Sequence, residues 1–503
     1  MIKQTLAWLL HLSRPTWAER YFIVILILGA VLAMLISLSI GLAQSVWFDE
    51  AYSIMLAKQQ AGELLRLTGL DTHPPLYYLL LKAWAGLFGW SEVALRSLSV
   101  LAMGGAVVFA GLLVKRLFGV KAALIALPFV VLAPFLLRYG FEIRMYSLAS
   151  LIGVAATYVL VSALSAKGRK QWVLYSIYAV LIALGVYTLY YLALLWVAHV
   201  VWLLWLWRRE KRPLAKAPWL LALAGSVVLF LPWLPTFISQ VGNGALAPIS
   251  QAMTLENILG IISFGFVYQP VWQLTAAVSL LVLFVIITAS YVVVRAFKAA
   301  DKKQLPHLML LAMYILVPVA VITIVSLARP MYVERYLAHV LIGGMLLVGV
   351  SAAFVLPKAT RTIKAAILML PVIMLVGVAH LVQVGNYNFQ RLQKPMVDQV
   401  AMELSKCKEG ATILAADPYV AIELAYYVPT CQIKFYSQWE ELKGGYAPLS
   451  KSEQMVLDTT KLSAERPILY VYYDEPQLQM PEGTQLNSMS THGKMTVATF
   501  SAE

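Results

Sequence analysis

A chain of 503 residues, 61% hydrophobic and 13% charged, with a mean hydropathy of +0.76, is excluded from the water-soluble class, where roughly a quarter of residues are charged. Its net charge of +14 looks like a nucleic-acid footprint until it is divided: residues 1–384 hold 29 Lys/Arg against 11 Asp/Glu, and residues 385–503 hold 10 against 14. The cations of the first part sit in clusters between apolar runs, whereas a nucleic-acid surface gathers them on one face, so no nucleic-acid partner is expected.

Apolar stretches near twenty residues long begin at Tyr21 and recur to about Val384, and each can cross ~30 Å of hydrocarbon as a helix. The first is too long for a signal-peptide core and lacks a clear small-residue cleavage site, so it reads as a retained helix. Six basic clusters separate the stretches: Lys3/Arg14/Arg20, Lys115/Arg116/Lys121, Lys167/Arg169/Lys170, Arg208/Arg209/Lys211/Arg212/Lys216, Arg295/Lys298/Lys302/Lys303 and Lys358/Arg361/Lys364. Every second loop is basic, the pattern that orients a multi-pass protein with its cations in the cytoplasm. The alternation fixes about eleven spans, near 21–44, 92–114, 121–138, 146–166, 171–188, 190–207, 218–239, 272–294, 307–327, 337–356 and 365–384. The amino terminus is then inside and the carboxyl terminus outside. The apolar run 255–267 is read as a re-entrant or interfacial helix, because a span there would set the basic clusters against one another. Eight of the eleven acids fall on the outer side, so the chemistry is expected to face outward.

The first outer loop, 44–91, opens with Trp47-Phe48-Asp49-Glu50-Ala51-Tyr52-Ser53 directly after the first span. Two adjacent carboxylates at a membrane boundary are costly to desolvate, so they are functional or paired, or else they are solvated first-turn charges favoured by a helix dipole. Residues 50–66 have amphipathic helical spacing, with Ile54, Leu56, Ala57, Ala61, Leu64 and Leu65 against Lys58, Gln59, Gln60, Glu63 and Arg66. Such a helix lies along the interface. Asp71-Thr72-His73-Pro74-Pro75 then forms an extended turn that admits a new helix over 76–90. A plain helix-start turn with a surface histidine is the competing reading.

A later outer boundary reads Arg138-Tyr139-Gly140-Phe141-Glu142-Ile143-Arg144-Met145-Tyr146. Two arginines with a glutamate are more than a snorkelling anchor requires. Arg329-Pro330-Met331-Tyr332-Val333-Glu334-Arg335-Tyr336 gives a second arginine–tyrosine pair at the same depth. Tyr187, Tyr190 and Tyr191 mark another outer boundary, where an aromatic belt is the ordinary explanation.

From about 386 the character changes. Met396, Val397, Val400, Ala401 and Leu404 keep helical spacing, and β-rich runs follow at 412–415, 432–436, 468–473 and 496–500, with a helical 420–427 between the first two. A small outer α/β domain, 385–503, is predicted. The chain's two cysteines, Cys407 and Cys431, both lie in it. On an oxidising face they form a disulfide, or they stay as two buried thiols.

These pieces suit transfer of a sugar from a lipid phosphate. The departing phosphate is already a good leaving group, so the reaction needs a carboxylate base for the acceptor hydroxyl and fixed cations for the phosphate. Arginine's planar fork matches phosphate. Asp49 with Glu50 supplies the base in this reading, and Arg144, Arg138 and Arg335 the clamp. No Gly-rich phosphate loop points to a nucleotide-sugar donor.

Trp-Phe-Asp-Glu-Ala-Tyr-Ser at 47–53, Thr-His-Pro-Pro-Leu-Tyr-Tyr at 72–78, Glu142-x-Arg144-Met145-Tyr146 and Arg335-Tyr336 stand in an order that resembles the GT-C superfamily over residues 21–384. The closer resemblance is to bacterial members of the dolichyl-phosphate-mannose protein mannosyltransferase family, which includes the lipid A aminoarabinose transferase. It implies an all-α polytopic GT-C-like domain over 1–384, with interfacial helices in the loop 45–91, in the lipids of a bacterial inner membrane. It further implies a catalytic aspartate at Asp49, a polyprenyl-phosphate-linked sugar donor and inversion at the anomeric carbon. Tyr336 and Tyr146 join the arginines at the donor phosphate, while Asp71, His73, Glu142 and Tyr191 position the acceptor or the loop. The acceptor is a lipid, glycan or protein hydroxyl. The chain departs from the family where Tyr139–Arg144 replaces the frequent Ser-Gln-Glu-Ala-Arg, and where Tyr187-Thr188-Leu189-Tyr190-Tyr191 lacks the histidine of a common Thr-His-Tyr. Metal use varies across the superfamily, and no complete ligand set is visible, so no cofactor is assigned and a divalent metal stays open. Two rivals are a ligase or polymerase using diphosphate-linked glycans and a lipid-linked-sugar flippase. A flippase would carry ionisable groups near the midplane and paired broken helices, whereas the acids here gather at one surface.

Overall fold

The computed structural model of the chain describes residues 15–211, 213–214, 217–242, 252–268, 275–384, 397–404, 411–442, 449, 452–463, 466–473 and 478–502. Among these residues, ten helices are long and apolar enough to cross a membrane, or eleven if the bent pair Val120–Val131 and Pro134–Gly140 is one crossing. All eleven predicted spans fall on these elements, and the chain is a multi-pass membrane protein. The pair bends by 63°. Pro128 lies inside its first helix and Pro134 starts the second, and each proline removes an N–H and crowds the preceding turn.

The run 255–267 forms the helix Leu255–Phe266, whose 12 residues extend about 18 Å. That is too short to cross the hydrocarbon. Thr254 caps it by accepting the Asn257 N–H at 3.2 Å. Gly377 of the last span lets the two backbones approach, since a Cβ there would meet the carbonyl oxygen of Phe266 and the Cα of Val267.

Internal packing divides the chain into two compact units. The first comprises Met1–Ser39, Ser97–Leu234 and Ile249–Gln383, and the second Ile40–Arg96, Pro235–Pro248 and Val384–Glu503. The first outer loop, read from the sequence as part of a 1–384 domain, thus groups with the C-terminal region.

The first unit contains a polar staple across three spans. The Thr157 hydroxyl donates to the Gly153 carbonyl at 2.8 Å, so its oxygen accepts from His199 Nε2 at 3.0 Å. The other imidazole nitrogen then accepts from the Tyr178 hydroxyl at 2.9 Å. Each buried polar atom of the triplet is satisfied, as a low-dielectric interior demands.

In the second unit the loop folds into three helices, Phe48–Lys58, Ala61–Leu70 and Leu76–Phe88. The single helix expected over 50–66 is interrupted, because Gln59 and Gln60 both take extended backbone. Ile54, Leu56, Ala57 and Leu64 are buried as the amphipathic spacing requires, while Ala61 and Leu65 are exposed.

Among the described residues, the C-terminal part of this unit forms a six-stranded sheet in the order β3-β2-β1-β4-β6-β5. The strands are β1 (Thr412–Ala415), β2 (Ile433–Tyr436), β3 (Met455–Val456), β4 (Ile468–Tyr473), β5 (Thr484–His492) and β6 (Met495–Ala502). β1 pairs in parallel with β2 and β4, and β6 runs antiparallel to β4 and β5. The helices Val397–Leu404 and Pro418–Tyr427 cover one face with Val400, Leu404, Val420 and Leu424 against Ile413, Phe435, Val471 and Val497. Four strands match the β-rich runs. β5 gave no apolar alternation because it is a mostly exposed edge strand with a bulge between Leu486 and Ser488. Cys431 is half-buried against this core, and the expected partner Cys407 lies outside the described residues.

Candidate active site

The first span ends at Leu42, and Trp47, in extended conformation, leads into the helix Phe48–Lys58. Asp49 and Glu50 therefore occupy the first turn, where the helix dipole favours negative charge. Both are buried, Asp49 8% and Glu50 0% exposed. Successive helical side chains diverge by roughly 100°, so the two carboxylates face different surroundings.

Glu50 is held by Arg96. The Arg96 guanidinium donates to its carboxylate at 2.9 Å and 3.2 Å, a bidentate pair between fully buried side chains. The same guanidinium donates to the carbonyls of Gly41 at 2.7 Å and Gln44 at 3.1 Å, and to the Glu92 carboxylate at 2.9 Å. A fork whose donors are spent on two carboxylates and two carbonyls fixes the chain entering the Asp49 helix.

Asp71 and His73 follow in the same unit. Asp71 is 1% and His73 6% exposed, with Nδ1 of His73 at 3.6 Å from the Asp71 carboxylate and at 2.8 Å from the Thr72 hydroxyl. Gln240 braces the turn by donating to the carbonyls of Thr68 at 2.9 Å and Asp71 at 2.8 Å.

In the first unit, Arg138, Glu142, Arg144 and Tyr146 are all buried. Arg138 lies in the last turn of the short helix Pro134–Gly140, donates to Glu142 at 3.1 Å, and lies 5.1 Å from the ring centres of both Tyr139 and Phe141. The Arg144 N–H donates to the Glu142 carbonyl at 2.6 Å. Tyrosine rings continue the cluster, Tyr139 to Tyr146 at 5.2 Å, Tyr146 to Tyr336 at 6.2 Å and Tyr336 to Tyr191 at 5.0 Å. Tyr191 donates its hydroxyl to the Met331 carbonyl, and burial, then the neighbouring Tyr336, raises the pKa of this phenol. Arg335 is half-buried with its guanidinium 5.9 Å from the Tyr336 ring. Glu334 accepts from Tyr139 at 3.4 Å. Three separate stretches of sequence thus form one arginine–tyrosine cluster, a surface suited to an oxyanion.

Four of these neighbours were not singled out as site residues from the sequence: Arg96, Glu92, Gln240 and Glu334. The i, i+4 pair Glu92–Arg96 at the start of a span was the available signal, since intramembrane charges are seldom idle. Among the described residues, no three His, Cys, Asp or Glu side chains gather as metal ligands.

Residues 72–235 match the family described as dolichyl-phosphate-mannose-protein mannosyltransferase. No curated protein matches the sequence. Among solved structures, ArnT from Cupriavidus metallidurans bound to undecaprenyl phosphate superposes with a TM-score of 0.62 at 13% identity, over 97% of this chain and 98% of that one. Its apo state gives 0.62 at 14%, over 96% and 98%. The oligosaccharyltransferase of Archaeoglobus fulgidus aligns more loosely, with a TM-score of 0.46 at 14% identity over 79% and 61%. The likeness to ArnT is one of fold, and it extends over almost the whole of both chains. Residues 72–235 thus resemble the dolichyl-phosphate-mannose-protein mannosyltransferases, and the chain as a whole is a multi-pass membrane protein that shares the fold of ArnT.

Proposed function

We propose that the chain transfers a sugar from a polyprenyl-phosphate donor to a hydroxyl acceptor on the outer face of a bacterial inner membrane, with Asp49 as general base. The acceptor oxygen attacks the anomeric carbon from the side opposite the phosphate. Its proton passes to the Asp49 carboxylate as the bond from the anomeric carbon to the phosphate oxygen breaks. A single displacement of this kind inverts the anomeric carbon. The polyprenyl phosphate departs as an anion, stabilised by Arg144, Arg138 and Arg335 with Tyr146 and Tyr336. Asp71, His73, Glu142 and Tyr191 hold the acceptor and the loop. Glu50, expected from the sequence to share the catalytic work, is here the counter-ion of Arg96.

The observation that carries this reading is the buried acid pair in the first turn of the helix Phe48–Lys58, Asp49 beside a Glu50 that Arg96 engages bidentately. The outward orientation is supported by the alternation of basic loops, and the lipid-phosphate donor by the fold shared with an ArnT that binds undecaprenyl phosphate. The test is incubation of purified protein with a panel of undecaprenyl-phosphate sugars and candidate lipid, glycan and protein acceptors. One donor is expected to give product of inverted anomeric configuration, or slow hydrolysis without acceptor. A folded protein that neither binds nor turns over any of them overturns the proposal.

A further inference from the structure

The residues on either side of Asp49 are gripped from the C-terminal region, 397–427. The Ser45 hydroxyl donates to the Asp398 carboxylate at 2.6 Å. The Val46 N–H donates to the Tyr427 hydroxyl at 2.7 Å, and that hydroxyl in turn donates to Glu92 at 2.6 Å. The Phe48 ring meets Tyr419 edge-on, with centres 4.3 Å apart. Tyr426 adds a donation to the Trp90 carbonyl at 3.0 Å. On the other side of Asp49, Glu50 binds Arg96, which binds Glu92 and so closes a ring back to Tyr427. Burial, followed by the bond to Glu92, pushes the Tyr427 phenol far up from its ordinary value, so it stays a donor at working pH.

Building on the proposed function, we infer that the C-terminal region positions the Asp49 carboxylate, with Tyr427 and Asp398 as positioning residues. Positions 45, 46 and 48 are each fixed by a different side chain of that region, and position 50 by the Arg96 network that Tyr427 completes. A general base must meet its proton within about 3 Å, and a displacement of about 1 Å can cost on the order of 100-fold. Anchoring both flanks of the base is a direct means of holding that tolerance. It also gives the C-terminal region an effect on chemistry that is separate from choosing an acceptor.

Tyr427→Phe keeps the ring and removes the bridging hydroxyl. In the full-length protein, with the undecaprenyl-phosphate sugar that supports wild-type turnover, kcat is expected to fall about 10- to 100-fold for transfer and for acceptor-free donor hydrolysis alike, at unchanged donor KM. Asp398→Ala should lower both rates in the same way. Asp398→Asn, which keeps an oxygen to accept from Ser45, should retain most of what the alanine loses. A loss confined to acceptor KM, with donor hydrolysis untouched, overturns the inference, because the region then acts on the acceptor alone. An active wild type silenced by Asp49→Asn but indifferent to Tyr427→Phe and Asp398→Ala sinks this inference and leaves the functional reading intact. A wild type without transfer or hydrolysis sinks both.

Discussion

Asp49 and Glu50 are buried neighbours in the first turn of one helix. Arg96 and Glu50 form a buried pair of 0% and 1% side-chain exposure, and removing one partner of such a pair costs about 3 kcal/mol. Glu50→Gln should therefore lower the thermal unfolding midpoint in detergent, whereas Asp49→Asn should leave it close to wild type while removing activity. Equal loss of stability in both variants would mean that Asp49 is a structural acid too. The sequence reads the acid pair as functional or paired, because desolvating two carboxylates at a membrane boundary demands a reason, and Glu50 is paired. That Glu50 pairs with Arg96 was not legible, since Arg96 lies 46 residues further on. Its guanidinium is committed through geometry that spacing alone does not encode.

Helices were the most legible elements. Spans obey a length and a polarity set by the bilayer, so all eleven expected crossings coincide with apolar helices or with the bent pair. The break at Gln59–Gln60 escaped because two glutamines are good helix formers by propensity, and only tertiary packing opposes them. β5 escaped because its exposed, polar residues carry no period-2 signal. The polar staple of the first unit allows an element-level test. Thr157→Val deletes the hydroxyl that His199 meets at 3.0 Å and strands a buried ring nitrogen. The expected cost is about 1 kcal/mol, read as a lowered unfolding midpoint with transfer kinetics retained. An unchanged midpoint would show that the three spans do not depend on this triplet.

For the molecule as a whole, the proposed orientation rests on the six basic clusters and on reading 255–267 as too short to cross. A reporter fused after Glu503 should behave as extracytoplasmic, alkaline phosphatase active and green fluorescent protein dark, and the opposite pattern would reverse the proposed topology. What the sequence could not reveal is the tie between its ends. Tyr427 and Glu92 are 335 residues apart, and no local pattern marks two side chains that meet only after folding. That tie makes the C-terminal region part of the machinery around Asp49 in our reading. The most direct measurement is the rate of labelled-sugar transfer by Asp49→Asn beside wild type, both folded and given the same polyprenyl-phosphate donor. The expected result is a fall of about 10²- to 10⁴-fold in transfer and in donor hydrolysis together. Transfer at the wild-type rate would contradict the assignment of Asp49 as the base.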